Sequence, residues 1–136
     1  MILVDTGPLV ALIDPRDSLH RKARSDLENL TDPSFLVTVP VLTETFFHLF
    51  SRIARRKLCA LLQELEMSIR EIDGSTVAAS MDWLDVYADH EPDFADAVTV
   101  VLSAEIEDSL VWTYDREFST TWRKPDGSVI PLAVRP

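Results

Sequence analysis

The run Ile2-Leu3-Val4-Asp5-Thr6-Gly7-Pro8-Leu9-Val10-Ala11-Leu12 decides the fold. Ile2-Leu3-Val4 is apolar with a β-branched bias, the composition of a short buried strand, and Asp5-Thr6-Gly7-Pro8 interrupts it with turn chemistry. Leu9 to Ile13 then reads as helix, so the chain opens as a strand running into a helix with a carboxylate at the junction. The same arrangement returns late, where the apolar strand Leu110 to Thr113 delivers Tyr114-Asp115 at its end. Between these two junctions, Asp17 to Leu30 has Leu19, Ala23, Leu27 and Leu30 at three- and four-residue spacing and reads as an amphipathic helix closed by Thr31-Asp32-Pro33. Phe35 to Thr38 is a second strand. Pro40 sits where a first-turn proline is tolerated, ahead of a long helix through about Ala54, and a further helix covers Leu58 to Met67. Ser68 to Ile72 is a third strand, Gly74-Ser75 opens a helix with Val77, Met81, Leu84 and Ala88 on one side, Glu91-Pro92 closes it, and Asp93 to Glu107 is a last long helix. Short apolar strands alternating with longer helices predict an α/β fold. The arrangement is a three-layer sandwich in which a short, mostly parallel central sheet carries helices on both faces.

With 136 residues and no Gly- or Pro-rich linker, residues 1–136 read as one domain, large enough to bury a core without metal or disulfide staples. The single cysteine, Cys59, has no internal partner and lies among leucines in a helical pattern, which predicts a buried thiol in a reducing compartment. Met1 to Ile13 contains Asp5 and Pro8 and lacks a basic leading segment, so it fits neither signal peptide nor membrane span, and a cytoplasmic protein is expected. Acids outnumber bases 23 to 13, for a net charge of −10. That balance opposes binding a polyanion over the whole surface. The bases are nevertheless clustered. Arg21, Lys22 and Arg24 form one run and Arg52, Arg55, Arg56 and Lys57 another, each an RNA-contacting candidate or, equally, a solvated helix face.

In open parallel sheets, ligands bind beyond the carboxyl ends of the strands, so Asp5 and Asp115 can face one site despite their separation in sequence. Asp93 and Asp96, three apart at a helix start, share one face near the positive end of the helix dipole, and Glu44 lies in an early turn of another helix. Oxygen donors from separate elements, without Cys or His, match the ligand preference of Mg²⁺ and Mn²⁺ rather than zinc. Such a site supports attack of water on a phosphodiester with metal assistance. Clustered carboxylates also repel one another, which itself argues for a cation. Each acid has a structural alternative: Asp5 as a helix cap, Glu44 as a first-turn acid on a solvated face with Thr45, His48, Ser51 and Arg52, and Asp93 with Asp96 as a reciprocal capping pair. His20, His48 and His90 are scattered and read as structural or surface residues, and Trp83, Trp112 and Trp122 as core.

Asp5-Thr6-Gly7-Pro8-Leu9-Val10-Ala11-Leu12 after an apolar strand resembles the opening of PIN-domain ribonucleases of the VapC toxin type. Pro40-Val41-Leu42-Thr43-Glu44 resembles the segment carrying that family's second acid, Asp93-Phe94-Ala95-Asp96-Ala97 the third, and Thr113-Tyr114-Asp115-Arg116-Glu117-Phe118 the late Thr-x-Asp motif. The motifs occur in family order over positions 5 to 118. The resemblance implies a PIN-like sandwich and a Mg²⁺-dependent endoribonuclease, with Mn²⁺ as a substitute. It makes Asp5, Glu44, Asp96 and Asp115 the catalytic, metal-holding acids and Asp93 an outer ligand. Thr6 and Thr113 match hydroxyls beside those acids, where they orient carboxylates or serve only as turn and strand-end residues. The family further implies an RNA substrate, a cognate antitoxin and a homodimer. Val4-Asp5-Thr6-Gly7 is also the local signature of an aspartic protease, but 3 glycines and several long helical periods oppose an all-β body. Two rivals stay open: a Mg²⁺-dependent phosphatase or phosphotransferase with Asp5 as nucleophile, and a non-catalytic module that binds a basic partner segment through its acids.

Overall fold

The computed structural model describes residues 1–31 and 33–136, so the turn expected at Thr31-Asp32-Pro33 includes one residue, Asp32, that lies outside the described residues. Four strands, β1 (Ile2–Val4), β2 (Phe35–Thr38), β3 (Ser68–Arg70) and β4 (Leu110–Trp112), form one sheet in the order β3-β2-β1-β4. Every pairing is parallel: Ile2 lies opposite Phe35 and Leu110, and Leu36 opposite Ser68. Parallel neighbours require crossovers, and helices supply them. The chain winds outward from β1 to β3 and then crosses back to β4 on the other side of β1. The strand order therefore reverses between β1 and β4, and a crevice opens at their carboxyl ends.

Strand alternation divides the core in two. Ile2, Val4, Phe35, Val37 and Trp112 face one side, where α1 (Thr6–Ile13), α3 (Val39–His48) and α4 (Arg52–Glu64) contribute Leu9, Ile13, Val41 and Leu58. Leu3, Leu36 and Val111 face the other, where α5 (Gly74–Val86), α6 (Phe94–Glu105) and α7 (Glu117–Thr120) contribute Trp83, Val98, Val101, Leu102 and Phe118. Because side chains alternate with period two, β1, β2 and β4 serve both layers at once although each is three or four residues long. α6 is buried almost all round, from Ala97 to Ser103, which accounts for its small apolar composition. The predicted three-layer α/β sandwich is the observed one. The three tryptophans lie in the core as expected, at 3% exposure or less, each such side chain contributing about 1.5–3 kcal/mol through burial.

Local expectations fail where a tertiary contact overrides the periodicity. The helix expected to run through Ala54 ends at His48, and α4 starts afresh at Arg52. Ser51 causes the break: its Oγ accepts from Ala54 N at 3.0 Å as the cap of α4, while Leu49 turns into the core at 2% exposure. Arg55 seals the junction, its guanidinium donating to the carbonyls of Leu49 (2.8 Å) and Phe46 (3.3 Å). α2 spans His20–Asn29 and does not begin at Asp17, because the Asp17 carboxylate accepts from Leu19 N at 2.8 Å and holds a turn there. On α5, the face predicted from Val77, Met81, Leu84 and Ala88 is only partly right: Leu84 packs half-buried on the core, Val77 and Met81 are exposed, Ala88 lies past the helix end at Val86, and the buried face is Thr76, Ser80 and Trp83. Trp83 dominates by area and by its indole bond to the Arg123 carbonyl, and the small polar residues let α6 approach. Cys59 is exposed, not buried, because Leu58 takes the inward position on α4. Thr45 is buried beside Glu44 rather than solvated, its hydroxyl returned to the Val41 carbonyl at 2.7 Å. Among the described residues, no helix is long and apolar enough to cross a membrane.

Candidate active site

Asp5 follows β1 directly, and its backbone N still pairs with Trp112 O of β4 at 3.0 Å, so the sheet itself fixes its position. Its side chain is 5% exposed. One carboxylate oxygen accepts from Thr6 N at 2.7 Å, capping α1, and the other accepts from the Thr113 hydroxyl at 2.7 Å. Burial pushes its pKa up to about 6, against the two hydrogen bonds and with help from the nearby charges of Glu44 and Asp93. The capping role read from the sequence is present, and the Thr113 bond adds a second, long-range role.

The remaining acids come from three other elements. Glu44 projects from α3, where its carboxylate accepts from the Thr6 hydroxyl at 2.7 Å and lies 3.8 Å from His48 Nε2. Partial burial raises its pKa, Thr6 opposes the rise, and the charge of Asp93 adds to it. Asp93 and Asp96 form a reciprocal capping box at the start of α6: Asp93 accepts from Asp96 N at 2.8 Å and Asp96 from Asp93 N at 3.0 Å. Each bond occupies one oxygen, and the Asp93 carboxyl also lies within hydrogen-bonding reach of Glu44. Asp96 is pushed up to about 8 by burial first, then by the charges of Asp5, Asp93 and Asp115. Asp115 is exposed, with one oxygen accepting from Glu117 N at 2.9 Å and its own N donating to the Thr113 hydroxyl at 3.0 Å. Thr6 and Thr113 thus each touch a carboxylate of a different element, a contact that turn or strand-end geometry alone does not require.

These groups line one open cleft of about 360 Å³ at the reversal between β1 and β4. Asp5, Asp17, Glu44, Asp93, Asp96 and Asp115 all border it, and no Lys or Arg does. Asp17, His48 and Tyr114 were not singled out by sequence reasoning. Tyr114 was detectable from its place between Thr113 and Asp115, whereas Asp17 and His48 reach the cleft through the α1–α2 turn and the last turn of α3. Tyr114 is tied down by its hydroxyl, which donates to Asp26 at 2.8 Å and accepts from Trp112 Nε1 at 3.2 Å, under the Lys22 ammonium 4.7 Å from the ring centroid.

Two of the basic candidates are committed inside the protein. Lys22 pairs with Asp26 at 2.8 Å and donates to the Arg135 carbonyl, and Arg55 caps α3. Arg21, Arg24, Arg52, Arg56 and Lys57 are exposed and lie outside the acid cleft. Among the described residues, no three Asp, Glu, His or Cys side chains converge closely enough to cage an ion by themselves. The donor set is all oxygen and opens to solvent, which fits a cation that keeps several waters, as Mg²⁺ does, and does not fit a dry cage.

Comparison with known proteins bears on the fold and the family. No curated protein matches the chain. Among solved structures, the fold is similar to that of Mycobacterium tuberculosis VapC20, described as a sarcin-ricin loop cleaving toxin, with a TM-score of 0.75 and 20% identity over 100% of both chains. The PIN domain family model matches residues 2–123, from β1 through α7 and so across all four acid-bearing segments. On that match the chain belongs to the PIN domain family.

Proposed function

We propose that this protein is an endoribonuclease that hydrolyses RNA phosphodiester bonds with the help of Mg²⁺ or Mn²⁺, and that it is the toxin of a type II toxin–antitoxin pair. The observation carrying the reading is the cleft itself: five separate segments bring six carboxylates together with no Lys or Arg among the described lining residues, at the cost of raising the pKa of Asp5, Glu44 and Asp96. A fold does not concentrate anionic groups in this way without a counter-charge. Asp5, Glu44, Asp96 and Asp115 would hold the cation, with Asp93 further out. When bound, a divalent cation supplies the charge compensation and Lewis acidity that phosphodiester hydrolysis needs. The chain's own part is to orient its donors. Thr113 fixes Asp5 and the backbone of Asp115, Thr6 fixes Glu44, and the capping box fixes Asp96, so three hydrogen-bonded pairs hold the acids before any ligand arrives.

The PIN domain and the likeness to an RNA-cleaving toxin support the same reading. An Asp5 nucleophile is disfavoured, since in-line attack asks for a carboxylate that can swing onto the phosphorus and Thr6 N and Thr113 pin both of its oxygens in a buried site, while the lone pair that each oxygen keeps still lets it ligate a cation. A cognate antitoxin and a homodimer complete the proposal. Their support is an apolar surface on α3 and the α3–α4 junction, where Phe47, Phe50 and Ile53 are 75%, 89% and 72% exposed. The test is cleavage of a structured RNA pool by purified protein with Mg²⁺ or Mn²⁺, with EDTA, and with Asp96→Asn, mapping the cut ends. Metal-dependent cleavage lost in the chelated and the variant samples is the expected result. A folded, metal-binding protein that cuts nothing would overturn the nuclease and leave a partner-binding role.

A further inference from the structure

Beyond Asp115 lies a second pocket, of about 630 Å³, between α7 and the segment Leu132–Pro136, with Arg116 and Arg135 both on its wall. The backbone that presents them is well fixed. Val111 N donates to Pro131 O and Ala133 N to Val111 O, both at 2.8 Å, so the late segment runs alongside β4. Lys22 Nζ then clasps the Arg135 carbonyl at 2.8 Å. On the opposite wall, the hydroxyls of Ser119 (2.8 Å) and Thr120 (3.0 Å) donate to the Arg116 carbonyl and close α7 onto it. Those hydroxyls are therefore spent on the fold, and recognition at this pocket falls to the two guanidinium groups.

Neither guanidinium lies within ion-pair distance of a carboxylate among the described residues, in a protein whose acids outnumber its bases 23 to 13. Among the described residues, Lys22 and Arg16 are the Lys and Arg side chains that do pair, with Asp26 and Asp14, so what sets Arg116 and Arg135 apart is that they share one pocket. Two unpaired arginines brought to one pocket from positions 116 and 135 form a fork for a phosphate, the group whose planar, bidentate recognition suits Arg best. Arg116 follows Asp115 in the chain, their Cα atoms about 3.8 Å apart. A polynucleotide with one phosphodiester at the acid cleft must leave it over one of its sides, and the Arg116–Arg135 pocket adjoins the Asp115 side.

We infer that the Arg116–Arg135 pocket is a backbone-phosphate site for single-stranded RNA, holding the strand beside the bond presented to the acid cleft. The inference rests on the nuclease reading. It also explains how so acidic a chain holds a polyanion: the metal cleft takes one phosphate and the arginine fork an adjacent one.

The test measures binding, not cleavage. A fluorescent single-stranded RNA is titrated with Mg²⁺ present into Asp96→Asn protein and into the same protein carrying Arg116→Ala and Arg135→Ala, over a range of salt. Each single-strand phosphate contact contributes about 0.7 to the slope of log K against log salt, so the arginine variant, which loses the one phosphate held by the fork, is expected to lose about 0.7 of slope. Its affinity at low salt should fall roughly five- to tenfold, converging with the parent at high salt. A matched pair, Arg70→Ala with Lys124→Ala, removes the same charge at positions that line neither pocket. Unchanged slope and affinity in the arginine variant would overturn the inference while leaving the nuclease standing, and would point to a carboxylate-bearing partner peptide as the ligand of the fork. Equal losses in both pairs would also overturn it, marking a net-charge effect. Failure of the Asp96→Asn protein to bind RNA at all would also overturn it, since the arginine fork is intact there, and would leave the nuclease reading to the cleavage test.

Discussion

Replacing Asp96 by Asn should stabilise the metal-free protein and remove its response to Mg²⁺, a pairing of effects that an ordinary capping aspartate does not produce. Asn keeps the side-chain oxygen that accepts from Asp93 N, so the capping box survives. What disappears is a carboxyl that ionises near 8 in the folded chain against 3.8 for the free group. The folded state thus holds its proton more tightly than the unfolded state does. Stability from this group is complete below about pH 4 and is lost as pH rises toward 8. Taken whole, the difference is worth roughly 6 kcal/mol at about 1.4 kcal/mol per pH unit, and solvent reaching the half-buried carboxyl reduces that to about 2 kcal/mol. For a domain of this size, that corresponds to about 7 °C in melting temperature. The assay is thermal unfolding by circular dichroism at about pH 5 and about pH 8, in EDTA and in Mg²⁺. In EDTA at the higher pH the variant should melt above the parent, and at the lower pH the gap should close to under about 2 °C. Excess Mg²⁺ should then reverse the order, since a ligand at about a hundred times its Kd adds about 2.7 kcal/mol to the parent alone. A variant that melts no higher at pH 8, or that gains as much from Mg²⁺ as the parent, would refute the reasoning that like charge and burial at this cleft await a cation.

Thr113→Val leaves Asp5 one bond short in a buried site and deprives Asp115 N of its acceptor, so a loss of about 1–3 kcal/mol in denaturant unfolding is expected, with cleavage falling and Thr113→Ser restoring both. Ser51→Ala removes the cap at the α3–α4 break and should cost about 1 kcal/mol by the same measurement, with no change in metal response, because Ser51 lies outside the acid cleft. Phe47→Asp and Phe50→Asp change side chains that are 75% and 89% exposed, so stability should move by less than about 0.5 kcal/mol, while a homodimer resting on this surface would shift to monomer in analytical ultracentrifugation.

The parallel sheet was legible from short apolar runs each followed by a helix, because burial on both faces leaves no polar alternation in Leu3-Val4 or Val111-Trp112. The acids were legible for a related reason: Asp5 and Asp115 end strands, and strand ends in a parallel sheet converge. Less accessible was anything decided by packing across elements. The pattern in Val77, Met81, Leu84 and Ala88 satisfies a helical period as well as Thr76, Ser80 and Trp83 do. Only the bulk of Trp83, and the room that Ser80 leaves for α6, selects the second face. Cys59 and Leu58 are adjacent on α4, and one residue of rotation, about 100°, decides which of them faces inward.

The site repeats this division between what chain order carries and what contact carries. Motif spacing supplies the acids, but which acid each threonine serves is a matter of crossing chains. Thr6 stands next to Asp5 and yet donates to Glu44, whereas Thr113 stands next to β4 and donates to Asp5, 108 positions away. Each hydroxyl therefore ties the carboxylate of one element to the backbone of another. The α1–α3 and β1–β4 junctions cannot shift without moving a ligand oxygen. That coupling makes the acid positions depend on the packing of both core layers, since α3 packs in the layer with Leu9 and Val41 while α6 holds Asp96 in the layer with Val98 and Trp83. A cavity made far from the cleft, such as Leu102→Ala in α6, is then expected to weaken metal-dependent activity as well as stability, and Leu58→Ala in α4 to do so through Glu44, because the two layers meet at the sheet whose ends carry Asp5 and Asp115 and again where α3 packs on α6 beside Glu44 and Asp96.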